Sequence, residues 1–494
     1  MGVLALFAVL IFAAYGPLGT NLTDEGLIQD WGYRILHGAL PHRDFISPRP
    51  LGSALIHLPE LLGPQPLLLT ARLLMIAEIV AYSALLASIV YRTPLRRWNW
   101  KHLLGVLVSA LVSLHTFALM EWETVDGLLL TSIAARLLLP LERQNTRKVV
   151  VAMLCIGLAL TTKQSFAPAL PLALLFIAPA PGQGLRRWTR HTVGLVVALV
   201  PVGAYAGWVA AGGGLSEMLR QFLAAGKVDW LPFLSALQSP LSAVLVALMV
   251  AILGILLSPV PVRVRGQDLA LHTPLLYAAI LAILALPMFV QRLGPYTSWG
   301  YLLQWALMGV LAVDLLFRRT LPRDGLWILA MSYAVELSFG YSEPSLVCGA
   351  IVLFIAYRLD GWRTEDNPRA SGRIGRLVWN HYAWLVPVVA MIGLSGFVRT
   401  IHVYGDAPVG QLTATVTPLM PAYAGIRTNP TTATALNQVA VCSARMPAGK
   451  LSVIPDFPTA ALALGKQPAV PISILWEVEY KGSESRLIDA IDQL

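Results

Sequence analysis

The sequence predicts an α-helical polytopic membrane protein of about 13 transmembrane helices, with interfacial helices in the first outer loop and a small C-terminal α/β domain outside the membrane. Three observations predict it. Of 494 residues, 56% are hydrophobic and 13% charged, against roughly 25% charged in an ordinary soluble domain. Apolar stretches close to the roughly 20 residues that a spanning helix needs recur along the chain. The basic clusters between them alternate so that all fall on one side.

Taken in order, the expected spans are 2–19, 67–91, 102–120, 124–141, 149–162, 165–180, 193–211, 241–258, 272–290, 298–317, 325–340, 344–358 and 382–400. Residues 2–18 lack a basic n-region and a small-x-small cleavage site before Asn21, so this stretch reads as an uncleaved first span. Positively charged loops stay in the cytoplasm. With the N-terminus inside, the loops Arg92–Lys101, Arg143–Lys148, Arg186–Arg190, Arg263–Arg265, Arg318–Arg323 and Arg358–Arg376 hold 20 Lys and Arg residues, while the outward loops before the tail hold 7. The net charge of +9 is therefore topological, and no continuous basic face points to nucleic acid. Cys155 and Cys348 fall in apolar runs and Cys442 in the polar tail, which excludes a disulfide framework.

Two long segments and the tail face outward. The first, 20–66, has helical apolar spacing at Leu27, Ile28, Trp31 and Ile35 and again at Leu51, Leu55, Leu58 and Leu62, the pattern of helices lying in the interface plane. The second, 212–240, opens on three glycines and has a weaker amphipathic piece around Met218–Phe222. After residue 400 the hydrophobic runs shorten and Pro, Thr and Gly increase. Residues 451–454 and 470–475 read as strands around a short helix at 459–464, which divides the chain into a membrane module, 1–400, and an outer domain, 401–494.

Polar residues in such a chain are conspicuous. Thr23-Asp24-Glu25 follows the first span directly; the simplest reading is a helix cap with two acids complementing the dipole. Glu121, Glu123 and Asp126 meet at an outward turn, and Glu123 and Asp126, three apart, share a helix face. Lys163 stands between two apolar stretches, where a cation needs an anionic partner or a route to the interface. Arg72, Glu78, Arg136, Asp314 and Glu336 lie within expected spans. Apart from Arg72 they read as packing charges. No histidine pair has metal-ligand spacing, and no Gly-rich phosphate loop, dinucleotide fingerprint or Gly-x-Ser-x-Gly elbow occurs.

The acidic pair after the first span, the run Gly-Ala-Leu-Pro-His-Arg-Asp-Phe at 38–45 and the Pro-Arg-Pro-Leu-Gly-Ser at 48–53 resemble the first outer loop of C-type (GT-C) integral-membrane glycosyltransferases. The resemblance is closest to the bacterial branch of protein O-mannosyltransferases and the lipid A aminoarabinose transferase (glycosyltransferase family 39-like). It implies a multi-pass protein of the bacterial inner membrane, N-terminus cytoplasmic and C-terminal domain extracytoplasmic. Such an enzyme moves a sugar from a polyprenyl (di)phosphate donor to an outer protein, lipid or glycan. It also implies Asp24 as general base or metal ligand, Glu25 in support, and Asp126, which opens its span as Asp-Gly, as a second acid near Asp24 that either orients the acceptor or shares a divalent cation (Mg or Mn) with it. Arg43, Arg49 and Lys163 become phosphate partners, with Arg72, Arg292 and Tyr296 as further donor contacts and Glu123 orienting the acceptor. His42 is placed to touch substrate, although the family carries an aromatic residue there. Two other classes stay open: a multi-span transporter or lipid-linked-sugar flippase, disfavoured by the absence of repeat symmetry, and a non-catalytic scaffold.

Overall fold

The computed structural model describes residues 2–63, 66–115, 117–140, 144–177, 186–224, 300–337, 344–366, most of 403–493, and a few isolated positions. Over these the chain is mostly helical. The residues gather into two compact units, one formed by Met1–Ala81, Ala118–Val228 and Arg399–Leu494, the other by Tyr82–Phe117 and Asp229–Val398.

The first unit begins with α1 (Gly2–Tyr15), followed by α2 (Leu27–Leu36), α3 (Gly52–Ile56) and α4 (Leu58–Leu61) in the first loop. The apolar spacing in that loop does produce helices where expected. The apolar face of α2 and the start of α3 are buried in protein, with Leu27, Ile28, Trp31 and Leu51 almost wholly covered, because α2 packs on α3, α4 and the short helix Ala460–Ala463, whereas α4 buries no residue fully and Leu62 is exposed. Thr23 does not cap α2. The helix starts after Gly26, whose φ of 84° only glycine adopts easily, and a Cβ there would meet the Thr459 methyl at 1.8 Å. The Thr23 hydroxyl donates instead to Asp456, 3.1 Å away.

Next come α5 (Leu67–Val90), α6 (Trp100–His115), α7 (Glu123–Leu138), α8 (Thr146–Thr162), α9 (Ala169–Leu175), α10 (Arg186–Ala211) and α11 (Leu215–Ala224). Asn145 caps α8 by accepting from the Lys148 N–H at 2.9 Å. Glu123 and Asp126 lie in the first turn of α7 and favour its positive end. The stretch expected to span at 165–180 is a 3-10 turn, Gln164–Phe166, and the seven-residue α9. Pro168 and Pro171 sit at the start of α9, where no intrahelical N–H is needed. Gly127 of α7 admits the Phe166 ring, which a Cβ would meet at 2.0 Å.

Among the described residues, two helical stretches are long and apolar enough to cross a membrane, Leu67–Val90 and Thr189–Ala211; the apolar helices at Gly2–Tyr15, His102–His115, Leu303–Leu316 and Ser345–Arg358 are shorter. The spans expected at 241–258, 272–290 and 382–400 lie outside the continuously described residues.

Residues 399–494 belong to the same unit as the first loop, and Leu67 and Leu68 of α5 share a core with Met420, Tyr423, Ile426, Leu436, Phe457 and Ala460. The backbone of Gly19 donates to the Arg427 carbonyl at 2.8 Å, and Arg427 N–H returns a bond to the Pro17 carbonyl at 2.8 Å. The expected strand at 470–475 is displaced: the parallel pair is Lys450–Leu451 with Gln467–Pro468. The carbonyls beyond it are taken by the first loop, since Arg34 donates to Val470 at 2.9 Å and to Ile472 at 3.1 Å, and Ile46 N–H donates to Pro471 at 2.7 Å.

In the second unit, α6 packs with helices Gly300–Arg318 and Cys348–Asp366 either directly or through shared neighbours. The Tyr82 hydroxyl donates to the Leu346 carbonyl at 2.7 Å. Asp314 pairs with Arg358, as expected of a buried charge. Cys155, Cys348 and Cys442 are free thiols.

Candidate functional site

Arg49 organises the most densely charged part of the first unit. Pro48 and Pro50 flank it, fixing the backbone on both sides, and the Ser47 hydroxyl donates to the Arg49 carbonyl at 3.0 Å. The guanidinium is buried, donates to Glu123 at 3.0 Å, pairs with Glu479, and lies 5.5 Å from the centre of the Trp122 ring. Lys163, at the turn after α8, is brought to the same place because the Gln164 amide donates to the Pro48 carbonyl at 2.9 Å. Its ammonium donates to the Thr124 hydroxyl at 2.9 Å and lies within the electrostatic reach of Glu123, Arg49 and Glu479. Asp24, almost fully buried, bears electrostatically on both Arg49 and Glu479.

Four residues singled out in the sequence, Asp24, Arg49, Glu123 and Lys163, therefore converge with a fifth, Glu479, that the sequence did not indicate. Three carboxylates face two cations. Burial lowers the Lys163 ammonium to about 8, against the opposing pull of Glu123 and Glu479. Burial also raises the Glu479 carboxyl above its usual range, although Arg49 opposes the shift. Glu123 Oε2 accepts no hydrogen bond among the described residues.

Glu25 and Arg72 form a separate pair. Arg72 Nε donates to Glu25 Oε1 at 2.6 Å and Nη2 to Oε2 at 2.9 Å, a bidentate geometry, while the Thr20 hydroxyl adds a bond at 3.0 Å. Arg72 also donates to the carbonyls of Gly16 and Gly19. These contacts tie the start of the loop to α5.

Asp126 is not grouped with Asp24. Its partner is His57, whose Nε2 lies 3.0 Å from Asp126 Oδ1, and whose Nδ1 meets Glu60 and lies 3.3 Å from Glu121 Oε1. Although burial works against the charged imidazole, hydrogen bonds to Asp126, Glu121 and Glu60 raise its pKa well above the usual value. Burial pushes the Glu121 carboxyl up to about 8. Glu78, read from the sequence as a packing charge, joins this group through α5.

Arg43 lies apart from Arg49, exposed and held by both oxygens of Asp44 at 2.8 Å and by the Gly212 carbonyl at 2.9 Å. Arg292 and Tyr296 lie outside the described residues. His42 is fully buried at a φ of 66°, a region that non-glycine residues seldom occupy. It is held by Tyr205 Oη at 2.7 Å, Gln221 Oε1 at 2.9 Å and the Ser47 carbonyl at 3.1 Å. These bonds fix the ring as a structural post between the first loop, α10 and α11.

Burial lowers the His42 imidazole to about 4 from 6.5, outweighing its hydrogen bonds to Gln221 and Ser47. The folded value is the lower one, so the unfolded chain takes up the proton first as pH falls. Stability is expected to be complete above about pH 6.5 and to decline by about 3 kcal/mol on the way to pH 4. Melting of the detergent-solubilised protein across this range checks it: His42→Gln should flatten that part of the profile, and an unchanged slope would remove His42 as its source.

Comparison with known proteins finds no family model, no curated protein and no solved structure that matches this chain.

Proposed function

We propose that this chain is a multi-span membrane glycosyltransferase of the C type, with about 13 spans. It moves a sugar from a polyprenyl phosphate or diphosphate to an acceptor outside the cytoplasm. The observation that carries the reading is the convergence of Asp24, Arg49 and Lys163, from three distant parts of the sequence, in one buried place. A buried carboxylate within the electrostatic reach of Arg49, which in turn lies within reach of Lys163, suits this transfer. The acceptor hydroxyl gives its proton to Asp24 as its oxygen attacks the anomeric carbon. The bond from that carbon to the phosphate oxygen breaks, and its electron pair leaves on the phosphate, where Lys163 and Arg49 meet the growing charge.

Arg49 already has two carboxylate partners. An anionic donor therefore takes the place of Glu479, whose carboxyl is raised above its usual range by burial, which eases its neutralisation. In this reading the C-terminal segment fills the phosphate seat until donor arrives.

The testing experiment is transfer of labelled sugar by the purified, lipid-reconstituted protein from a panel of polyprenyl-phosphate sugars. Consumption of a donor with label appearing on an acceptor supports the assignment. A folded protein that consumes none, yet moves lipid-linked sugar across the bilayer, overturns it in favour of transport. Donor affinity should also fall as pH rises through about 8, where Lys163 loses its proton. Lys163→Arg, which stays charged, should hold affinity beyond that pH in a direct binding titration; a profile shared by both proteins would detach Lys163 from the phosphate.

A further inference from the structure

His57 lies where the α3–α4 junction meets α5 and the start of α7, and carboxylates approach both of its ring nitrogens. The ligand atoms of His57, Glu60 and Glu121 lie within 4.8 Å of one another, as do those of His57, Glu78 and Asp126. His57 is 5% exposed, Glu121 4% and Asp126 2%, so water does not serve them. Glu60 Oε2 and Asp126 Oδ2 are buried and accept no hydrogen bond among the described residues, while Glu121 Oε1 lies 3.3 Å from His57 Nδ1. One imidazole offsets at most one of four carboxylates. Buried carboxylate oxygens without partners are costly unless protonated or bound to a cation.

We propose that His57 Nδ1, Glu60 and Glu121 bind a divalent transition-metal ion, Mn²⁺ or Zn²⁺. The mixed nitrogen and oxygen donor set fits these ions better than Mg²⁺ or Ca²⁺, which favour all-oxygen sites. The Nδ1 side is chosen because Glu60 and Glu121 both bring an oxygen to that nitrogen, and the second oxygen of Glu60 is buried without a hydrogen bond among the described residues. On the far side of the ring, Asp126 accepts the Nε2–H at 3.0 Å, the usual arrangement by which a carboxylate fixes the tautomer and aim of a metal-bound histidine. Gln29 donates to the other oxygen of Glu121 and positions it. The ion joins the first loop to the turn before α7, two residues from Glu123. This site is independent of the sugar-transfer reading.

Full-length protein purified in detergent without chelator is assayed for metal by mass spectrometry, then stripped and titrated with Mn²⁺ under electron paramagnetic resonance. One ion per chain is expected, with nitrogen modulation of the bound Mn²⁺ signal and displacement by Zn²⁺. His57→Gln should abolish the nitrogen modulation. Asp126→Asn should weaken binding about 10–100-fold while keeping that modulation. Glu60→Gln, at the edge of the cluster, supplies a variant expected to stay folded while losing affinity. Folded wild type that takes up neither ion, or binding unchanged in both His57→Gln and Glu60→Gln, overturns the site whatever the protein's activity proves to be.

Discussion

Under the proposed sugar-transfer mechanism, replacing Asp24 by Asn is expected to lower transfer by about two to four orders of magnitude, the range a positioned general base contributes. The substitution is nearly isosteric. Asn21 Nδ2 donates to Asp24 Oδ2 at 3.1 Å, and the amide oxygen of an asparagine can take its place. Melting should therefore stay within about 1 kcal/mol of wild type. The comparison is made in the reconstituted transfer assay at saturating donor, with donor binding measured separately: turnover should collapse while affinity changes little. Near-normal turnover would leave the carboxylate without its assigned role. A loss confined to donor affinity would move Asp24 from proton transfer to binding.

The second large effect is on stability. Arg49→Ala removes the only guanidinium paired with either Glu123 or Glu479 among the described residues and leaves two buried carboxylates facing each other. Breaking a buried ion pair in this way typically costs about 3–5 kcal/mol, because the orphaned charge stays desolvated. The loss should appear in thermal or denaturant unfolding, and it should be smaller when Glu479→Gln is added, since one of the two charges is then gone. A double variant no more stable than the single one would mean that Arg49 acts through its packing on Trp122 rather than through its charge.

The parts of this arrangement that were legible in the sequence are those with a local signature. The helices of the first loop follow from apolar spacing over a few residues, and Asp24, Arg49 and Lys163 stood out because polar residues are scarce in such a chain. What local pattern does not carry is pairing at a distance. Glu479 sits in a charged tail among other acids, and nothing near it announces a partner 430 positions away. His57 has Glu60 three residues on, but a lone His-x-x-Glu flags no known motif, and the remaining carboxylates, Glu78, Glu121 and Asp126, come from distant segments. Arg43 and Arg49 look alike in the sequence, yet a neighbouring Asp44 captures the first at the surface while two prolines hold the second inside. Glu25 was read with Asp24, its neighbour, whereas its bonds go to Arg72.

The bond pair between Gly19 and Arg427 and the grip of Arg34 on residues 470–472 bear on how the protein is made. Translation delivers the first loop long before the segment that covers it. Until the tail emerges, Asp24 and Arg49 lack Glu479, and the backbone of residues 17–19 lacks its partner at 427. The loop should then be open to proteases in nascent or truncated chains and become protected late and all at once. Completion of the charged cluster thus waits on the segment that carries Glu479, so a chain halted before residue 427 would hold the helices of the first loop without an assembled site.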